Sequence, residues 1–252
     1  MTATEPGELV ATYRAARATV LGRIADASSR VGRDPIGVAL IAVSKTVPAE
    51  AIRDAIAAGL DLLGENRVQE GLAKAPDVPG ARWQLIGPLQ GNKARKALEV
   101  FESIQSVDSV ALAERLDRLS RELRRGARYP VLLQVNVDDD AAKAGFQPAA
   151  VEDAIGRLEE LEGLDIRGLM TIGRLVDRAE AARPTFRRLR ELSEAWRART
   201  RAIGPDLSMG MTDDFEVAVE EGATIVRVGR ALFGERHPDH AHEAVTPRFR
   251  RG

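Results

Sequence analysis

Eight short apolar segments, separated by longer stretches of helical pattern, constrain this fold more than any other feature. They are Val38–Ser44, Asp61–Gly64, Trp83–Gly87, Ser103–Val107, Pro130–Val137, Ile166–Ile172, Asp206–Met209 and Thr224–Val228. Between them lie helical patterns such as Pro48–Ala58, Ser109–Arg124, Pro148–Glu160 and Arg178–Arg201. Regular alternation of this kind implies a parallel sheet covered by helices. Eight such units predict an α/β fold, a single (β/α)8 barrel of the TIM type, with an open doubly wound sheet as the second choice. A leading helix is expected from Leu9, Val10, Tyr13, Val20, Leu21, Ile24 and Val31, ending near Gly32 and packing outside the barrel. The expected division is residues 1–34 for that helix, 35–236 for the barrel and 237–252 for a polar tail.

At 252 residues the chain can form one large core. Its 37 basic and 38 acidic residues leave a net charge of -1, so no global field gathers nucleic acid or anionic membrane, and a small-molecule partner is expected. The arginine-rich stretches around 124–125, 183–201 and 248–251 are interleaved with acids and read as solvated outer faces. Cysteine is absent, which removes disulfides and thiolate chemistry. All three histidines, His237, His240 and His242, fall in the tail, so no histidine triad and no core metal site is expected. Asp138-Asp139-Asp140 reads as a solvated loop in preference to a cation site. With no signal-like start and no long apolar run, a cytoplasmic protein is expected.

The first strand stops on Lys45, just before Thr46-Val47-Pro48 opens a helix. An amine at the end of a core strand is a candidate Schiff-base lysine, the alternative being a lysine that merely reaches solvent. After the seventh and eighth segments come Ser208-Met209-Gly210-Met211-Thr212 and Arg227-Val228-Gly229-Arg230, where a barrel often binds phosphate. Glycines there let the backbone approach an anion, and the hydroxyls of Ser208 and Thr212 can donate to it. By strand alternation Arg227 shares a face with Ile225 and points inward, where it needs a partner. A phosphorylated aromatic aldehyde satisfies all these groups, and pyridoxal phosphate fits that description.

Seven ordered motifs carry a resemblance: Ala42-Val43-Ser44-Lys45-Thr46; Gly64-Glu65-Asn66 with Val68-Gln69-Glu70; Ile86-Gly87-Pro88-Leu89-Gln90 with Asn92-Lys93; Lys143-Ala144-Gly145-Phe146; Gly168-Leu169-Met170-Thr171-Ile172; Ser208-Met209-Gly210-Met211; and Arg227-Val228-Gly229. Together they resemble the pyridoxal-phosphate homeostasis protein family, whose barrel is shaped like the N-terminal domain of alanine racemase. The resemblance implies that Lys45 holds pyridoxal 5'-phosphate as an internal aldimine. It further implies that Ser208, Gly210, Gly229 and Arg230 contact the phosphate, that Arg227 faces the ring nitrogen, and that Asn66 and Met170 line the pocket. Three positions depart from the family pattern: Arg230 where a hydroxyl residue often follows Arg-x-Gly, Gln84 where histidine often follows the tryptophan, and Thr212 where serine is usual.

Family likeness implies a binder and buffer of the cofactor without established turnover. A protonated arginine keeps the ring nitrogen unprotonated and weakens the ring as an electron sink. Racemase chemistry is the alternative, yet the only tyrosines, Tyr13 and Tyr129, fall in the leading helix and at the start of the fifth strand. Aldolase-type or phosphate-sugar chemistry ranks third. The expected partners are the cofactor itself and apo enzymes that use it, with no nucleic acid or membrane, and the chain is expected to be a monomer.

Overall fold

The computed structural model describes residues 7–234, apart from 125, 141–142 and 174–175 and the side chain of residue 124. The tail assigned to 237–252, with its three histidines, lies outside the described residues. Eight parallel strands close into a barrel in chain order: β1 Ala39–Val43, β2 Leu62–Glu65, β3 Arg82–Leu85, β4 Ser103–Val107, β5 Tyr129–Gln134, β6 Leu164–Met170, β7 Asp206–Ser208 and β8 Ile225–Val228. Closure is made by β1 pairing with β8 from Ala39↔Ile225 to Ala42↔Val228, which settles the architecture against an open sheet.

The helices are α1 Glu8–Arg30, α2 Ala49–Ala57, α3 Val68–Lys74, α4 Ala94–Val100, α5 Val110–Arg124, α6 Pro148–Glu159, α7 Arg183–Arg197, α8 Phe215–Glu220 and α9 Arg230–Phe233. Their inner faces and the outward faces of the strands form the main core, where Trp196, Tyr129, Phe101, Phe186 and Phe215 are fully buried. Each such aromatic contributes on the order of 2–3 kcal/mol from burial. The expected helix over 178–201 begins later than predicted: a 3-10 turn at Ala179–Ala182 precedes α7. Pro184 explains the break, since proline has no N–H to continue a helix and favours its first turn.

The leading helix packs on α2, α8 and α9, as its apolar stripe predicts. Its buried side chains Tyr13, Val20, Ile24 and Ala27 repeat at helical spacing. Beyond its end, Arg33 donates to the carbonyls of Val219 (2.6 Å) and Ala223 (3.0 Å), so a cation closes the C-terminal end of α8. Gly168 in β6 lies so close to β7 that a Cβ there would stand 2.0 Å from the Asp206 carbonyl oxygen, and only glycine fits.

Candidate functional site

The barrel interior is polar along one side, and that polarity builds the site. Arg227 of β8 pairs in register with Ile41 of β1, the strand that runs on into Ser44 and Lys45. Its side chain is 4% exposed. One terminal nitrogen donates to Ser208 Oγ at 2.6 Å and the other to the Thr171 carbonyl at 2.7 Å. Both acceptors are neutral, and among the described residues no carboxylate forms an ion pair with this guanidinium. Burial pushes its pKa down to about 10, with the negative charge of Asp214 opposing the shift. It therefore remains a cation at neutral pH. Asp214 is itself pushed up by burial, while its Oδ1 accepts from the Met211 amide at 2.6 Å.

Ser208 is found inside the barrel, in contact with Arg227. Alternation along β7 turns both Asp206 and Ser208 inward, so the Ser208 hydroxyl lies wholly buried inside the barrel and not on the loop that follows. It donates to Gln105 Oε1 at 2.7 Å while accepting from Arg227. Its side chain lies against the arginine. The Thr212 hydroxyl is likewise engaged, accepting from the Gly229 amide at 3.3 Å.

The loops after β7 and β8 nevertheless meet as expected. Gly210 has φ 90°, and a Cβ on it would lie 2.5 Å from the Ala218 Cβ, so glycine is required for α8 to begin against this turn. The Arg227 amide donates to the Gly210 carbonyl at 3.0 Å, and Arg230 pairs with Asp213 across the two loops. The Arg230 charge is thus shared with a carboxylate at the rim instead of being offered to an anion alone.

Lys45 stands half-buried just past β1, in a turn whose next residue, Thr46, has φ 67°. The peptide before it is clamped. Lys74 Nζ donates to the Ser44 carbonyl (2.9 Å) and to Glu65 Oε1 (2.6 Å), and Ser44 Oγ donates to the same Glu65 oxygen at 2.8 Å. Glu65 is fully buried; desolvation raises its pKa, with Lys74 opposing. Asn66 follows Glu65 at the end of β2, half-buried, and its backbone is so near Gly87 that a Cβ there would meet the Asn66 carbonyl oxygen at 2.2 Å. Met170 closes β6, fully buried.

Gln105, Thr171, Asp214 and Lys74 were missed as site residues. Gln105 carried the available signal, a long amide side chain in the middle of the strand Ser103–Val107. The acidic run at 138–140 is not simply solvated: Asp138 accepts from Thr185 Oγ1 at 2.6 Å, and Lys143 lies 3.7 Å from Asp138 and 3.9 Å from Asp140. Among the described residues no cluster suited to a metal ion is present. No helix among them is long and apolar enough to cross a membrane.

The model of the alanine racemase N-terminal domain matches residues 23–237. A pyridoxal phosphate homeostasis protein of Pseudomonas aeruginosa is 44% identical over 225 residues, covering 87% of this chain and 94% of the relative. The chain belongs to the pyridoxal phosphate homeostasis protein family. A second family member, from Aquifex aeolicus, is 41% identical over 219 residues, covering 86% of this chain and 95% of its own. The structure of PipY from Synechococcus elongatus with PLP bound is 45% identical and superposes with a TM-score of 0.74, covering 84% of this chain and 100% of PipY.

Proposed function

We propose that this protein binds pyridoxal 5'-phosphate covalently through Lys45 and serves as an intracellular reserve of the cofactor, without turnover. The observation that carries the reading is Arg227, a buried cation with only neutral hydrogen-bond partners, on the strand beside the one that runs on into Lys45. A buried guanidinium left in this state is suited to a further acceptor, and a pyridine nitrogen is one. The homeostasis relatives and the PLP-bound PipY structure support the same cofactor.

In this reading Lys45 takes the aldehyde, and the Ser44–Glu65–Lys74 clamp fixes the peptide from which it projects. Arg227 faces the ring nitrogen, held in direction by Ser208 and Thr171. Gly210 and Gly229 let the two loops approach the phosphate, with Arg230 at the rim, while Asn66 and Met170 line the pocket. Bound pyridoxal phosphate supplies an aldehyde for amines and a ring that can withdraw electrons from them. Arg227 limits the second property, because a guanidinium donating to the nitrogen leaves no room for a proton there.

Racemase chemistry needs a second base, and the tyrosines are poorly placed for it. Tyr13 is buried in α1 with its ring 5.5 Å from that of Phe233. Tyr129 is the first residue of β5, and its hydroxyl donates to the Phe101 carbonyl at 2.7 Å. Holding the cofactor for apo enzymes that use it fits this arrangement better.

The test is direct. Purified protein is expected to absorb visible light, and borohydride reduction followed by mass spectrometry should place the cofactor on the peptide containing Lys45. Retention of that absorbance by Lys45→Ala would refute the assignment. Alanine interconversion at or above about 1 per second, within the ordinary range of enzyme turnover, would refute the carrier role.

A further inference from the structure

The opposite, N-terminal mouth of the barrel opens into a cavity of about 530 Å³, a volume within the ~300–1,000 Å³ range of small-molecule clefts. It exists because small residues stand where bulky ones usually fill a barrel: Ala39, Ser103 and Pro130 leave its first layer open. Its deeper lining includes Gln84 and Gln105, 8% and 1% exposed. Among the described residues nothing hydrogen-bonds the Gln84 amide, and Gln105 uses only its carbonyl, towards Ser208. The reverse orientation of Gln105 would aim two donors at Ser208 Oγ and leave its proton without an acceptor, so its NH2 is the unused group. Both amides open onto the cavity, so what pairs them is whatever occupies that space, water or a ligand.

The rim determines what kind of ligand. Arg82 lies 3.2 Å from Glu102, and Arg167 lies 3.8 Å from Asp206, so the cavity lining carries two cations and two anions. An inorganic anion would face both carboxylates, and a metal ion both guanidinium groups. A zwitterion meets both signs, its carboxylate near an arginine and its ammonium near an acid. A carboxamide on the same molecule would pair with the glutamine amides.

We propose that this mouth is a second ligand site, for a small amide-bearing zwitterion of the kind represented by free glutamine. The proposal does not depend on the cofactor reading, since the cavity opens at the other end of the barrel from Lys45, and of the residues named for each the two sites share only Gln105.

The experiment is calorimetric titration of the purified protein with L-glutamine, repeated with Gln84→Leu, Arg82→Met and Lys45→Ala. Saturable binding is expected, weakened at least tenfold by Gln84→Leu and by Arg82→Met and unchanged by Lys45→Ala. Arg82 is half exposed, so its variant remains informative should Gln84→Leu fail to fold. Absence of saturable heat up to about 10 mM, where binding would be worth under ~3 kcal/mol, would mean that water alone occupies the cavity and would overturn the proposal. So would binding that survives both mouth substitutions, or that disappears only with Lys45→Ala, which would place glutamine at the other end.

Discussion

Arg227 inside the barrel and Arg183 on its outer wall are both gripped by several oxygens, but the oxygens differ in kind. Arg183 meets three carboxylates, pairing with Glu180, with Glu220 at 2.5 Å and with Glu221 at 3.0 Å. Those hydrogen bonds raise its pKa. Glu221 also receives Arg187 at 3.3 Å and Arg190 at 3.2 Å, and Glu220 receives Arg30 of α1 at 2.7 Å. The network joins α1, α7 and α8 at the protein surface. Arg227, by contrast, has a hydroxyl and a carbonyl, and its pKa moves the opposite way. An ion-pair network neutralises charge where only packing of helices is at stake. At the candidate site the charge is left available, at a cost in desolvation that the more distant Asp214 and two neutral acceptors offset only in part.

The largest effect is expected at Arg227. Arg227→Met is expected to reduce cofactor affinity by about tenfold to a hundredfold, or ~1.4–2.7 kcal/mol, in equilibrium dialysis. Its melting temperature should shift little, because removing a buried charge offsets the loss of its hydrogen bonds. A large fall in stability with unchanged affinity would make Arg227 a structural residue like Arg183.

Glu221→Gln is the converse substitution. It removes one carboxylate from three arginines and should cost on the order of 1 kcal/mol in denaturant unfolding, with cofactor affinity unaltered. The same network sets an acid limit. Burial alone would raise Glu221, but the arginines around it hold its pKa below the ordinary 4.5, and Arg183 and Arg23 do the same for Glu220 and Glu216. Carboxylates depressed in the folded state stabilise it fully above about pH 4.5, and that contribution is lost as the pH falls through their lowered values. Wild-type stability should therefore drop more steeply below that pH than stability of Glu221→Gln. Parallel acid curves for the two proteins would remove the network from the account.

The smallest effect is expected at Gln105. Gln105→Leu deprives the Ser208 hydroxyl of its acceptor and frees it to turn away from Arg227. Cofactor affinity should weaken by a few-fold, in line with the ~0.5–1.5 kcal/mol of one hydrogen bond. Affinity equal to wild type would show that Arg227 keeps its direction without the chain.

Most of the barrel could be read from apolar segments because each strand is covered on its outer side by a helix, which leaves a local signature of composition and length. Ser103–Val107 was located to the residue, and the other strands within about three residues at either end. Short helices such as Val68–Lys74 and Ala94–Val100 leave no comparable signature, since two turns carry too little periodicity to stand out. Within the site, Lys45 and Arg227 were legible as charged residues at or near the ends of apolar runs. The direction of the Ser208 side chain was not, because a hydroxyl suits a loop and a barrel interior equally well.

Consecutive residues alone fixed how many strand-helix units there are, their order, and which two cations stand just past the first strand and on the last. Only the closed barrel decided that those strands are neighbours, that Ser208 and Gln105 lie inside against Arg227, and that Glu65 and Lys74 converge on Ser44. The physical reason is that apolar patterning is a property of consecutive residues. Hydrogen bonds between polar groups as far apart in the chain as Gln105 and Ser208 exist only once closure has set their register and taken away their water.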